Sequence, residues 1–198
     1  ALGIVMYGVG TFTESATTLF GWNEVVFRSW YISGALLGGA PLAQGTVYLM
    51  FERRTANRMA GVLGAFILVA ATAVILSPID YSLVETHRLT GAVMEWRWAR
   101  LFSPFINIYA AIFLIGGAAL SAWRYRNDSA LRHRFIGNCW IALGALLPGI
   151  GGTATRMGYT EVLYAMELIG IILIWIGYTY NVRPREQAEA LATAGATA

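Results

Sequence analysis

Six apolar runs, at roughly 1–19, 23–51, 59–79, 101–123, 135–154 and 160–180, set the terms for this chain. Each is about 19–29 residues long, enough at 1.5 Å per residue to cross a hydrocarbon core of about 30 Å. None alternates polar with apolar residues, and a barrel strand would be half as long, so strands are excluded. The runs predict an all-α fold: a polytopic transmembrane helix bundle of six helices over 1–180, followed by a C-terminal tail, 181–198. The first run starts at Ala1 with no basic segment ahead of it. It continues through Thr13, Glu14 and Thr17 without an A-x-A site. It is therefore expected to be a helix whose beginning is missing rather than a secretory signal, with a seventh helix if a further N-terminal segment is missing.

Composition excludes much else. Hydrophobic residues make up 57% of the chain and charged residues 13%, about half the charge of a soluble domain. A single soluble core of this size could not hide that much apolar surface, which excludes a cytosolic enzyme, a disordered chain and a nucleic-acid partner. All 14 basic residues are Arg. Without Lys, neither retinal nor pyridoxal phosphate can be held as a Schiff base. His87 and His133 lie outside the apolar runs, which argues against His-ligated haem or chlorophyll within the bilayer. The single Cys139 cannot build a disulfide or a metal centre alone and is expected to be a small packed side chain. No metal site and no nucleophile–base pair is expected, so the chain leans away from being an enzyme.

Loop charge predicts orientation. With six crossings, the loops 52–58 and 124–134 and the tail share one side with nine Arg and four acids; the other side has five Arg and seven acids. The positive-inside rule then puts both termini in the cytoplasm of a bacterial inner membrane. The longest loop, about 80–100, falls outside, with Trp96 and Trp98 as interfacial anchors beside Arg97 and Arg100. Phe20, Trp22, Trp30 and Tyr31 are expected to join that belt. The tail composition would ordinarily stay mobile, so an ordered tail implies support from the chain's own loops or from a neighbouring chain.

Charges inside apolar runs are expensive, about 2.5–3.5 kcal/mol each on an insertion scale, and they supply the candidate site. Glu167 lies seven residues after Thr160, about 10 Å along its helix, on one face with Tyr164. Glu14 sits near the end of the first run. Glu24 and Arg28 are spaced i,i+4 and can pair. Arg100 and Asn107 share a face with Ser103, and Arg156 follows the fifth run. Together they form a candidate ligand- or ion-binding cluster of Arg28, Arg100 and Arg156 against Glu14, Glu24 and Glu167. The alternative is a set of interfacial residues and internal pairs that fix helix register. An Arg partner is expected for Glu167, with Arg156 or Arg100 ahead of Arg28.

Two backbone interruptions stand out. Pro41 is expected to kink the second helix, with Gln44 or Thr46 satisfying freed backbone groups. Pro148-Gly149-Ile150-Gly151-Gly152 either stops the fifth helix or unwinds it into an amide-lined anion site beside Arg156. Gly34 and Gly38, and Gly116, Gly117 and Ser121, are small-residue faces suited to close helix contact. Two functions follow. The first is a non-catalytic subunit or interaction protein of a larger membrane assembly, with lipids and other membrane chains as partners. The second is a small transporter, channel or ligand-binding protein using the outer Arg/Glu cluster for an anion, protons or a lipid- or quinone-like ligand.

Overall fold

The computed structural model describes residues 2–129, 131–157 and 159–196, with the side chains of 4, 153, 155, 156, 160 and 183–196 excepted. It is all-helical: α1 (Leu2–Phe20), α2 (Glu24–Trp30), a π-turn (Tyr31–Leu36), α3 (Ala40–Met50), α4 (Arg53–Leu76), α5 (Phe102–Tyr125), α6 (Arg132–Arg156) and α7 (Thr160–Ala196). Among the described residues, four segments are long and apolar enough to cross a membrane: α4, Arg97–Tyr125, Arg132–Gly152 and Glu161–Val182. The chain divides into two compact units, Ala1–Phe113 and Leu114–Ala198, with the boundary inside α5.

In the first unit, the second apolar run is not one helix. Asn23 starts α2 by accepting the Val25 and Val26 amides on its side-chain oxygen, at 2.9 and 3.3 Å. From Tyr31 the helix widens into the π-turn, which closes with the Leu37 amide on the Ile32 carbonyl at 3.0 Å. Pro41 does not kink a helix, contrary to expectation. It occupies the first turn of α3, where a missing amide hydrogen leaves no bond unmade. The break lies upstream, at residues 37–39. Gly34, at the π-turn, lets α1 approach closely: a Cβ on Gly10 would lie 3.0 Å from the Gly34 Cα.

The long loop is not a loose connection. Ile79 bridges Met94, the Asp80 amide bonds the Val93 carbonyl at 2.8 Å, and Ile79, Leu89, Val93 and Met94 are buried with Phe27, Tyr31, Leu36, Val74 and Ile106 in one core. Where the alternative is water, each such side chain contributes about 1.5–3 kcal/mol, so this segment is a folded cap over α2, the π-turn and the end of α4. Tyr31 is therefore buried and Trp22 and Trp30 pack against this core rather than forming an exposed belt. Phe20 and Trp98 are exposed, with Trp98 stacked on Trp96 at 5.6 Å.

The second unit is dominated by an antiparallel hairpin of α6 and α7. Its seam is glycine at heptad spacing: Gly137, Gly144 and Gly151 on α6, Gly170 and Gly177 on α7. A Cβ on Gly144 would lie 2.6 Å from the Gly170 carbonyl oxygen, and one on Gly170 2.7 Å from that of Gly144. Gly137 and Gly177 repeat the reciprocal arrangement at 2.7 and 2.5 Å, and Gly151 abuts Leu163. Such pairs bring Cα–H groups onto facing carbonyls. Pro148 fits the seam, since the Gly144 carbonyl that it deprives of an amide faces Gly170.

Two further expectations are corrected by the structure. The 148–154 glycine stretch is helical, α6 running unbroken to Arg156, so no unwound anion loop forms there; the glycines serve close packing instead. Cys139 is exposed rather than packed, because the seam uses the α6 face carrying Gly137 and Gly144. The backbone of the tail continues α7 to Ala196, consistent with the high helix propensity of its Ala, Glu and Leu residues. The contact expected to hold it lies outside the described residues.

Candidate functional site

Of the predicted cluster, the structure joins Glu24 to Arg28 and builds outward from that pair. Arg28 Nε and Nη2 donate to Glu24 Oε1 at 2.9 and 2.7 Å. Nη2 also donates to the Ser77 carbonyl at 2.9 Å, and Nη1 to the carbonyls of Ile75, at 2.8 Å, and Val74. A guanidinium has five N–H donors, and five bonds use them here. The last carbonyls of a helix lack intrahelical partners and carry the negative end of its dipole. Arg28 thus caps α4 from α2.

Tyr81, from the cap, completes the network by donating its hydroxyl to Glu24 Oε2 at 2.7 Å. That bond to a carboxylate holds the phenol's proton and pushes its pKa up. Ser77, fully buried, accepts the Trp96 amide on its hydroxyl at 3.2 Å. His87 reaches back to the Thr18 carbonyl at 3.1 Å. Asp80 accepts the Ser82 hydroxyl at 2.5 Å and the Ser82 amide at 3.0 Å, and these bonds hold its carboxyl below the usual aspartate range.

No contact among the described residues joins the remaining predicted residues to this network. Arg100 is exposed on the turn before α5 and Asn107 is exposed on α5, while Glu14 is half-buried on α1. Ser103 instead meets the Tyr31 hydroxyl at 3.3 Å. Glu167, half-buried, and Tyr164, exposed, belong to α7 in the second unit. The Arg156 side chain lies outside the described residues. In the same unit, Ser121 accepts the Asn138 side-chain amide at 2.9 Å, whereas a Cβ on Gly116 would meet open space.

Sequence reasoning missed a second feature of the first unit, a groove of about 410 Å³ between α4 and α5. Val62, Leu63 and Phe66 line it from α4, and Phe105 and Tyr109 from α5, with Arg58 at one end. Behind it, Tyr109 donates to Gln44 Oε1 at 2.6 Å and Gln44 Nε2 donates to the Ala56 carbonyl at 2.9 Å. Gln44 thus ties α3 to α4 and α5 rather than repairing its own helix. The i,i+4 row of Arg58, Val62 and Phe66 was the available signal for this face.

No protein-family model, curated sequence or solved structure matches this chain. Its class is therefore defined by its own architecture: an all-helical protein with, among the described residues, four helices able, by length and composition, to cross a membrane.

Proposed function

We propose that the chain is a non-catalytic subunit or interaction partner in a larger assembly of a bacterial cytoplasmic membrane, crossing six times with both termini in the cytoplasm. The observation that carries this reading is the saturation of Arg28. The arginine at the centre of the candidate outer site has every N–H engaged with Glu24 and the end of α4, which is a scaffolding role. Exposed apolar side chains along α7, among them Leu168, Ile171, Ile172 and Trp175, offer surface for lipid or a neighbouring chain. The excess of Arg in 52–58, 124–134 and the tail supports the orientation.

The assembly is tested by mild solubilisation from native membranes. The expected result is a discrete species larger than the monomer, which shifts toward the monomer when 185–198 is removed while the bundle still inserts. A monodisperse monomer from the native membrane overturns the reading. Orientation is tested separately in a Cys139→Ser background. Single cysteines at exposed positions within 82–94, such as 82, 85 and 86, should react with an impermeant reagent from outside and those at 127–130 should not; the reverse pattern overturns the topology.

A further inference from the structure

We propose that the α4–α5 groove is a binding site for one anionic phospholipid, its acyl chain lying along Val62, Phe66 and Phe105 and its phosphate meeting Arg58. From Arg58 to Phe66 the groove runs about 12 Å along α4. Its volume of about 410 Å³, walled by apolar side chains, suits a flexible hydrocarbon chain.

The charge selects the kind of lipid. Arg58 is exposed at the groove's end and makes no ion pair among the described residues. Arg54, one turn before it on the same face, is likewise exposed and unpaired among them. This contrasts with Arg28, whose donors are all engaged. The wall beyond Arg58 is almost wholly apolar, its one hydroxyl, on Tyr109, being turned to Gln44. A cation at one end of an apolar slot matches a phosphate joined to a hydrocarbon chain. The assignment is independent of whether the chain has protein partners.

The test uses the full chain in phosphatidylcholine vesicles doped with spin-labelled phosphatidylglycerol or spin-labelled phosphatidylcholine. The wild type should immobilise the anionic label about fivefold more strongly, the effect expected of one basic residue near an anionic headgroup. Arg58→Gln should abolish that preference, Arg58→Lys should retain it, and inorganic phosphate should not displace the lipid. Val62→Trp, which fills the slot, should lower immobilisation of both labels. Equal affinity in the wild type, or a preference that survives Arg58→Gln, overturns the proposal. Displacement by inorganic phosphate, or no effect of Val62→Trp, also overturns it. If Arg58→Gln does not insert, the Arg58→Lys and Val62→Trp results decide alone. A disulfide between copies at Val62→Cys in the Cys139→Ser background would give the groove to a second copy and likewise overturn the lipid assignment.

Discussion

In the unit Ala1–Phe113, apart from the close approach of Gly10 to Gly34, the core is built from large side chains. Phe27, Tyr31, Met94 and Ile106 fill the interior, and Arg28 reaches carbonyls 46 to 49 residues along the chain. In the unit Leu114–Ala198, α6 and α7 meet where side chains are absent, at Gly144 on Gly170 and Gly137 on Gly177. The difference follows the solvent. A cap at a water boundary gains from burying apolar area. Between helices in lipid that drive is missing, and association depends on backbone proximity. The first kind of contact can adjust by rotamer changes; the second has no slack.

The comparison would break most visibly at the glycine seam. Gly144→Val places a Cβ within 2.6 Å of a backbone carbonyl, and neither helix can yield without separating. Overpacking of this kind costs about 3 kcal/mol. Hydrogen exchange in detergent should therefore accelerate about 100-fold in α6 and α7, with α2 and the cap unaffected. Gly152→Ala, where a Cβ meets nothing within 4 Å, should be neutral or slightly stabilising. Equal acceleration in both units would dissolve the distinction.

The complementary break is Arg28→Met, which leaves Glu24 and the end of α4 uncapped. Losing one partner of a buried pair costs about 3–5 kcal/mol. Here the Arg28 and Glu24 side chains are 18% and 41% exposed, so water screens part of the loss and about 2 kcal/mol is expected. Exchange should accelerate in residues 77–96 and the last turn of α4, and not in α6 and α7. Arg28→Lys should recover only part of this, because an ammonium offers three donors and no planar fork. Full recovery with Lys would reduce Arg28 to a point charge.

What the sequence made legible divides along the same line. Local pattern located the long helices: the runs 59–79, 101–123, 135–154 and 160–180 sit within α4, α5, α6 and α7 or overrun them by a few residues. Spacing also anticipated the Glu24–Arg28 pair, since i,i+4 neighbours touch on any helix. The five-fold use of Arg28 was not legible, because its carbonyl partners on α4 are set by tertiary approach. Nor was the cap, whose short turns carry no strong period and whose Val93 and Met94 look like ordinary loop residues. The glycine seam was present as a seven-residue repeat in Gly137, Gly144 and Gly151, but Pro148 beside Gly149 drew the reading toward a helix end. Pro41 misled similarly, because proline marks both kinks and first turns.

The smallest expected effect lies within the cap itself. Asp80 accepts the hydroxyl and amide of Ser82 and so starts the turn Tyr81–Leu83, which in turn carries the Tyr81 hydroxyl to Glu24. The bonds from Ser82 favour the carboxylate, so the folded pKa lies below the ordinary aspartate value. The sign follows directly. The unfolded chain binds the proton more tightly, so the contribution of Asp80 is complete above about pH 4 and is lost as pH falls through the folded pKa. Because the bonds of Asp80 are confined to one turn at the surface, only the order of the cap should respond, not the global unfolding of either unit. Exchange protection in residues 79–84 should decline on acidification below about pH 4, and Asp80→Asn should flatten that decline while leaving α4 protected. If the substitution instead loosened the Ile79–Met94 bridge at neutral pH, the cap's order would depend on this surface turn more than on its buried Val93 and Met94. The contrast between a side-chain-filled unit and a glycine-seamed one would then need redrawing.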